Sequence, residues 1–387
     1  MNRQMLETII SFLKIIGEIL GAALLAFFVL VGAIDPADFS HATPAITPPH
    51  SVEEQQERVI DETKVPEKVA VETSIPETQT SDIADLTERV KKALSSFVPT
   101  AQPPDPDVLN EKARAALVNI LCANEGGSPL GSITGSGMII DPRGIILTNA
   151  HIGEYFLMED YPRNGALDCV IRMGAPAAIA YDAKLLYISP DWIRDNARAV
   201  LEENPEGTGE NDFALLHITS SRTQTPLPSQ FLYISPDASG ATLIEKAPVL
   251  LASYPAGFLG GIIIQKELWP ASAVSSIVQL YTFKTGSIDL ISVGGSIIAQ
   301  KGSSGSGVLD IGTGKMVALV STTSAGDTTD ARDLNAITLA HINRSISADL
   351  SIDLQTFLAG NPATQAILFS QTLFPTLREF LLQELKK

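Results

Sequence analysis

The sequence predicts an all-β domain, carried behind an N-terminal membrane helix and an unfolded stalk. Three features predict it: short apolar runs ended by Gly, Pro or Asp through the middle of the chain, one long apolar segment near the start, and a Pro-rich acidic stretch between them. Many short strands with few intervening helices form a sandwich or a barrel.

The chain has 387 residues, enough for one large domain or two ordinary ones with appendages. It is 45% hydrophobic and 18% charged, with a net charge of −17. That acidic balance excludes a nucleic-acid surface, which needs clustered Lys and Arg. The only cysteines, Cys122 and Cys169, lack Cys or His neighbours at metal-ligand spacing, so no metal is expected. They form either a disulfide, if the compartment is oxidising, or two buried thiols.

Residues 1–34 read as a cytoplasmic tip and a membrane-spanning helix. The segment 6–33 is apolar, and no charge interrupts it from Ile19 to Ile34. Arg3 and Lys14 precede the apolar core, and no Lys or Arg follows until Arg58, which places the N-terminus inside and the remainder outside the cytoplasm. The rival reading is a signal peptide cleaved after the "VGA" at 31–33. Residues 35–108 are an acidic, Pro-rich stalk, with one helical pattern at 82–97 in which Ile83, Leu86, Val90 and Leu94 share a face.

Residues 109–348 carry the strand pattern, in runs such as "ALVNILC", "GSGMIID", "GIILTNA", "NDFALLHI", "APVLLASYP", "GGIIIQKEL", "IDLISVG", "GVLDIG" and "KMVALVS". "DPRG" at 141–144 and "IGTG" at 311–314 are hairpin turns. One helical insertion, opened by Ser189-Pro190-Asp191 and containing Trp192, stands where it rims or covers a cleft. Residues 349–387 form a helical extension. Phe369, Leu373, Leu377, Phe380, Leu381 and Leu385 line one stripe, and Pro375 marks a kink or a fresh start.

Among the five histidines, His151 stands apart, because it follows a strand and enters a loop, where a rigid scaffold presents reactive groups. Asp212 opens an apolar strand, and a carboxylate there needs a hydrogen-bonding partner such as an imidazole. In "KGSSGSGV", a nucleophilic serine needs a tight turn before it and open backbone after it. Ser304, between Gly302 and Gly305, meets both conditions; Ser303 and Ser306 do not.

These motifs resemble those of the chymotrypsin-like serine proteases. "LTNAH" is similar to their T-A-A-H, "NDFALL" to D-I-A-L-L and "GSSGSGV" to G-D-S-G-G-P, in the same chain order. The resemblance implies two six-stranded antiparallel β-barrels. It makes His151 the general base, Asp212 its orienter and Ser304 the nucleophile, and it places the oxyanion hole at the N–H groups of Gly302 and Ser304. It further implies an apolar specificity-pocket floor at Ile298, a polypeptide substrate and no cofactor. "GSGMIID" and "GIILTNAH" look nearest to the bacterial Deg-type proteases. Their usual PDZ domain does not fit in the 83 residues after Ser304, about half of which the second barrel takes. The resulting expectation is a membrane-tethered extracytoplasmic serine endopeptidase. The alternative is a protease-fold module that holds peptides without cutting them.

Overall fold

The computed structural model describes residues 103–387, except 127, 203–206, 258–260, 284–285 and 324–332, together with Asp85 and Arg89. The predicted membrane helix and nearly all of the stalk lie outside the described residues. Among those described, no helix is long and apolar enough to cross a membrane.

Helix α1 (Pro106–Ala116) opens the described domain. Asp105 caps it by accepting the Asp107 N–H at 2.9 Å, and Pro106 sits where a helix needs no donor. The chain then runs directly into β1 (Leu117–Asn124), β2 (Ile133–Asp141) and β3 (Ile145–Thr148). The "DPRG" hairpin turn joins the last two, closed by the Gly144 N–H on the Asp141 carbonyl. Next come α2 (Ala150–Gly153), a 3-10 turn at Glu154–Leu157, β4 (Leu167–Met173), β5 (Ala178–Ile188), α3 (Pro190–Asn196) and β6 (Ala214–Ser221).

These strands close a barrel in the order β1-β2-β3-β6-β5-β4. Leu117, Ile120, Ile146 and Leu216 belong to its fully buried core. All four residues of β3 are buried, which is why "IILT" reads as a continuous apolar run rather than an alternation. Cys122 and Cys169 stand opposite each other on β1 and β4, and their sulfur atoms are bonded at 2.05 Å.

The second body contains β7 (Pro248–Ser253), α4 (Gly261–Lys266), β8 (Ala271–Ser276), β9 (Gln279–Tyr281), β10 (Leu290–Ser292), β11 (Gly307–Asp310), β12 (Met316–Thr323) and β13 (Leu334–Thr338). It differs from the expected six-stranded barrel. It is a seven-stranded sheet in the order β8-β7-β11-β12-β13-β10-β9. The extra strand has a local cause: the stretch 271–281 bends at Ile277 and Val278, where the Lys246 and Val278 N–H groups bond the Ile277 and Ser292 carbonyls. One continuous segment thus pairs with β7 before the bend and with β10 after it, so the two edge strands are consecutive in the chain.

A second departure is "GGIIIQKEL", expected as a strand on its three isoleucines. Residues 261–266 are helical. The carbonyl of Ile264 accepts a bond at 2.9 Å from the guanidinium of Arg172, so a long-range contact outweighs the β-branched preference.

The chain ends in α5 (Leu339–Leu350), α6 (Leu354–Ala359), α7 (Pro362–Gln371) and α8 (Leu373–Leu385). Pro375 lies in the first turn of α8, a fresh helix start rather than a kink. Helix α5 packs on β12 and β13, and the last two helices return to the first barrel: α7 packs on β5 and β6, and α8 on α3 and the 3-10 turn. Ser189 caps α3, accepting the Trp192 N–H at 3.3 Å. Trp192 is buried in the first core, so the insertion serves packing against α8 rather than covering a cleft.

Candidate active site

Antiparallel pairing of β3 with β6 sets Thr148 opposite Ala214. The residues that leave β3 therefore meet those that enter β6, which brings His151 and Asp212 together across 61 positions of sequence. His151 Nδ1 lies 2.9 Å from Asp212 Oδ2, and the His151 N–H donates to Oδ1 at 3.0 Å. Asn149, just ahead of α2, donates its amide to the Asp212 carbonyl at 2.9 Å and ties down the same corner. From β12 of the second sheet, the Ser321 hydroxyl donates to Asp212 Oδ2 at 2.7 Å. The carboxylate thus accepts three hydrogen bonds while its side chain is only 5% exposed.

Burial alone raises the pKa of Asp212. The charge and ring N–H of His151, the Ser321 hydroxyl and the His151 backbone N–H outweigh it and hold the carboxyl below the usual Asp value. Burial pushes the His151 imidazole down, but the charge and hydrogen bond of Asp212 more than reverse this, leaving it above 6.5. With Nδ1 engaged by the carboxylate, the proton-accepting nitrogen is Nε2. The His151 side chain remains 26% exposed, open on one side.

Ser304 sits on a turn docked onto the first barrel. Its carbonyl accepts the Ser136 N–H of β2 at 2.7 Å, and the next residue, Gly305, donates its N–H to Val320 of β12 at 2.9 Å. Gly302 and Gly305 both have positive φ, 91° and 86°. Neither admits a side chain: a Cβ on Gly305 would stand 1.9 Å from the Ser136 carbonyl oxygen, and one on Gly302 2.8 Å from that of Tyr254. Gly135 is equally confined, between Ile152 and the Ser304 carbonyl, which stacks the His151 segment, β2 and the serine turn in three contiguous layers.

Within the turn, Ser303 donates its N–H to Gln300 and Ser306 to Ser303. The N–H groups of Gly302 and Ser304 meet no acceptor among the described residues. Nor is there a hydrogen bond between Ser304 Oγ and His151 Nε2 among them; the bonding of the ring runs to Asp212. Ile298, expected at a pocket floor, is fully buried in the core of the second sheet and offers no surface to a substrate. The Ser303 hydroxyl donates to its carbonyl and holds the turn closed, while neighbouring Ile297 is 66% exposed.

Two participants escaped the sequence reading. Ser321 contacts Asp212 from 109 positions away, and its only local mark is a polar residue in the otherwise apolar "VALVS". Glu154, one turn beyond His151, is 2% exposed, and its Oε2 has no hydrogen-bond partner among the described residues. Burial first, then the Asp212 charge, drive its pKa well above the ordinary 4.5. Among the described residues no cluster of His, Cys, Asp or Glu is placed to hold a metal ion.

Residues 135–319 match a family model described as the trypsin-like peptidase domain. The stretch contains His151, Asp212 and Ser304, so the likeness to chymotrypsin-like serine proteases extends well beyond three short motifs. Among solved structures, one titled "Crystal structure of Deg5" matches with 17% sequence identity and a TM-score of 0.40, covering 62% of this chain and 90% of that one. No curated protein matches the sequence.

Proposed function

We propose that this chain, similar to trypsin-like peptidases over 135–319, is a serine endopeptidase held at a membrane by its N-terminal segment. The observation that carries the reading is the 2.9 Å contact between His151 Nδ1 and Asp212 Oδ2. It fixes the ring tautomer so that Nε2 is a base, and the Ser304 turn is docked on the strand beside it.

In this mechanism Ser304 Oγ attacks the scissile carbonyl carbon while its proton passes to His151 Nε2. Asp212 stays ionised and stabilises the imidazolium. The new oxyanion takes the N–H groups of Gly302 and Ser304, donors already held in place by the two confined glycines. Collapse breaks the C–N bond, and the amine leaves with the proton from His151. Water, deprotonated by the same nitrogen, then releases the acyl group and restores Ser304. In unliganded enzymes the serine–histidine bond is often long and tightens only with substrate.

Tethering rests on the apolar segment 6–33 and the charge asymmetry around it, which put the peptidase outside the cytoplasm. The test uses the full-length chain in detergent micelles, treated with a fluorophosphonate probe and an unfolded protein substrate, beside Ser304→Ala. Labelling and cleavage confined to the wild type support the proposal. A second reading, a peptide-holding module, is favoured by the missing Ser304–His151 bond; binding of unfolded protein without labelling or cleavage would establish it instead.

A further inference from the structure

Asn211, immediately before Asp212, has φ 59°, one of three non-glycine residues described with positive φ. An L-residue held there costs energy unless something compensates, and asparagine tolerates the conformation best. The chain turns tightly at this point, with the Phe213 N–H on the Asn211 carbonyl at 2.8 Å and the Asp212 N–H on Gly209 at 3.1 Å. The direction in which Asp212 leaves the backbone is therefore set by whatever fixes Asn211.

What fixes it comes from the C-terminal helix α5. His341 Nε2 lies 3.2 Å from Asn211 Oδ1, and the Ser345 hydroxyl donates to the same oxygen at 2.9 Å. His341 is 9% exposed and held from three other sides. Its N–H bonds the Thr338 hydroxyl at 3.0 Å, its Nδ1 lies 3.2 Å from Asp289, and the Phe283 ring packs edge-on at 5.1 Å. Asp289, 2% exposed, also accepts from Arg344, from the Phe283 N–H at 2.7 Å and from the Ser287 hydroxyl at 2.9 Å. Among the described residues, the group it reaches outside this corner is Asn211.

The His341 ring bridges two acceptors: Nδ1 faces the Asp289 carboxylate and Nε2 faces Asn211 Oδ1, the oxygen that also accepts from Ser345.

We propose that His341 is a positioning residue for the peptidase site: by bonding Asn211 it holds the left-handed turn that aims the Asp212 carboxylate at His151, which makes helix α5 a working part of the site. The inference rests on the proposed peptidase function. It predicts a particular coupling, because a residue acting only through Asn211 loses its influence once Asn211 no longer has a side chain. Glycine keeps the positive φ accessible while removing the amide.

The test is a double-mutant cycle in the full-length chain with His341→Ala, Asn211→Gly and both together, and with His341→Gln as the variant that keeps a side-chain N–H donor. His341→Ala is expected to lower kcat about tenfold with KM within about twofold, and His341→Gln to recover most of it. In the Asn211→Gly background, His341→Ala is expected to cause no further loss. Unchanged kcat in folded His341→Ala, or losses that multiply, would overturn the proposal. The NMR titration of the His151 ring reads the same geometry without turnover: its pKa should fall in His341→Ala, and in His341→Gln should stay near wild type. If the wild type fails to react with the probe, the peptidase reading falls, and an unmoved His151 titration then independently overturns the positioning role.

Discussion

Ser136 on β2 donates its hydroxyl proton to the Gly302 carbonyl at 2.8 Å and receives the Tyr254 N–H at 2.9 Å. One side chain of the first barrel therefore fixes the turn that carries Ser304 and the strand end that lies behind it. Ser136 is fully buried, so its removal leaves two backbone groups without partners. Each orphaned group costs about 1–3 kcal/mol. Ser136→Ala is expected to lower the melting temperature and, because the Gly302 peptide borders the N–H groups proposed to bind the oxyanion, to lower kcat more than KM. Calorimetry and steady-state kinetics on one preparation would check both; equal loss in binding and turnover would argue against a fixed oxyanion turn.

The two glycines of the serine turn make a sharper prediction. Gly305→Ala places a methyl 1.9 Å from the Ser136 carbonyl oxygen at a φ of 86°. No rotamer change relieves contact with backbone. The turn must leave β2, and labelling of Ser304 is expected to disappear while the first-barrel core stays protected in hydrogen exchange. Gly312→Ala, whose Cβ would meet only the Asp310 carboxylate at 3.4 Å, serves as the tolerant control.

The His151–Asp212 pair predicts a pH dependence with a definite sign. General-base action needs neutral His151, and its pKa is held above 6.5 by the Asp212 charge and hydrogen bond, against burial. Activity should therefore rise with pH through a midpoint above 6.5. Ser321→Ala removes one of the three donors to Asp212 and is expected to reduce kcat about tenfold, since bonds to charged groups are the stronger ones. Asp212→Asn should cost on the order of 10⁴ in kcat. A profile whose midpoint lay below 6.5 would mean that burial of the His151 ring outweighs the charge and hydrogen bond of Asp212.

What was legible in the sequence was what local pattern encodes. His151, Asp212 and Ser304 each sit in a short motif whose turn or strand end is determined by immediate neighbours, such as Gly302 and Gly305 about the serine. The first barrel was legible for the same reason, as apolar strands between turn residues. The residues that brace the site were not. Ser321 reaches Asp212 across 109 positions and His341 reaches Asn211 across 130, and no periodicity records a contact of that length. Residues 261–266 misled because three isoleucines favour a strand locally, whereas the helix receives a bond from Arg172 of the first barrel. The bend at Ile277 and Val278 likewise became visible only once the partners of each half of that segment were known.

The Cys122–Cys169 bond joins directly opposed residues of β1 and β4 and closes a loop of sequence separation 47. Loop entropy of that length corresponds to about 4 kcal/mol of stabilisation. Paired replacement by serine is expected to lower the melting temperature by several degrees with kcat retained, because neither residue touches the His151 corner. A reductant should reproduce the shift in the wild type and leave the double variant unchanged.

Glu154 provides the last prediction, and here the sign runs opposite to that of a salt-bridged carboxylate. Its pKa in the folded chain is well above 4.5, through burial and the Asp212 charge. Near neutral pH the unfolded chain has this carboxyl ionised, so folding must take up a proton. The cost is absent below the unfolded value and grows as pH rises toward the folded one. Glu154→Gln keeps the shape and removes that uptake. The variant should melt at the same temperature as wild type near pH 4 and progressively higher as pH rises above the unfolded value. Its kcat should be little changed wherever Glu154 is already neutral. A constant offset at every pH would mean that packing, not protonation, distinguishes the two side chains, and that the group beside Asp212 carries a charge after all.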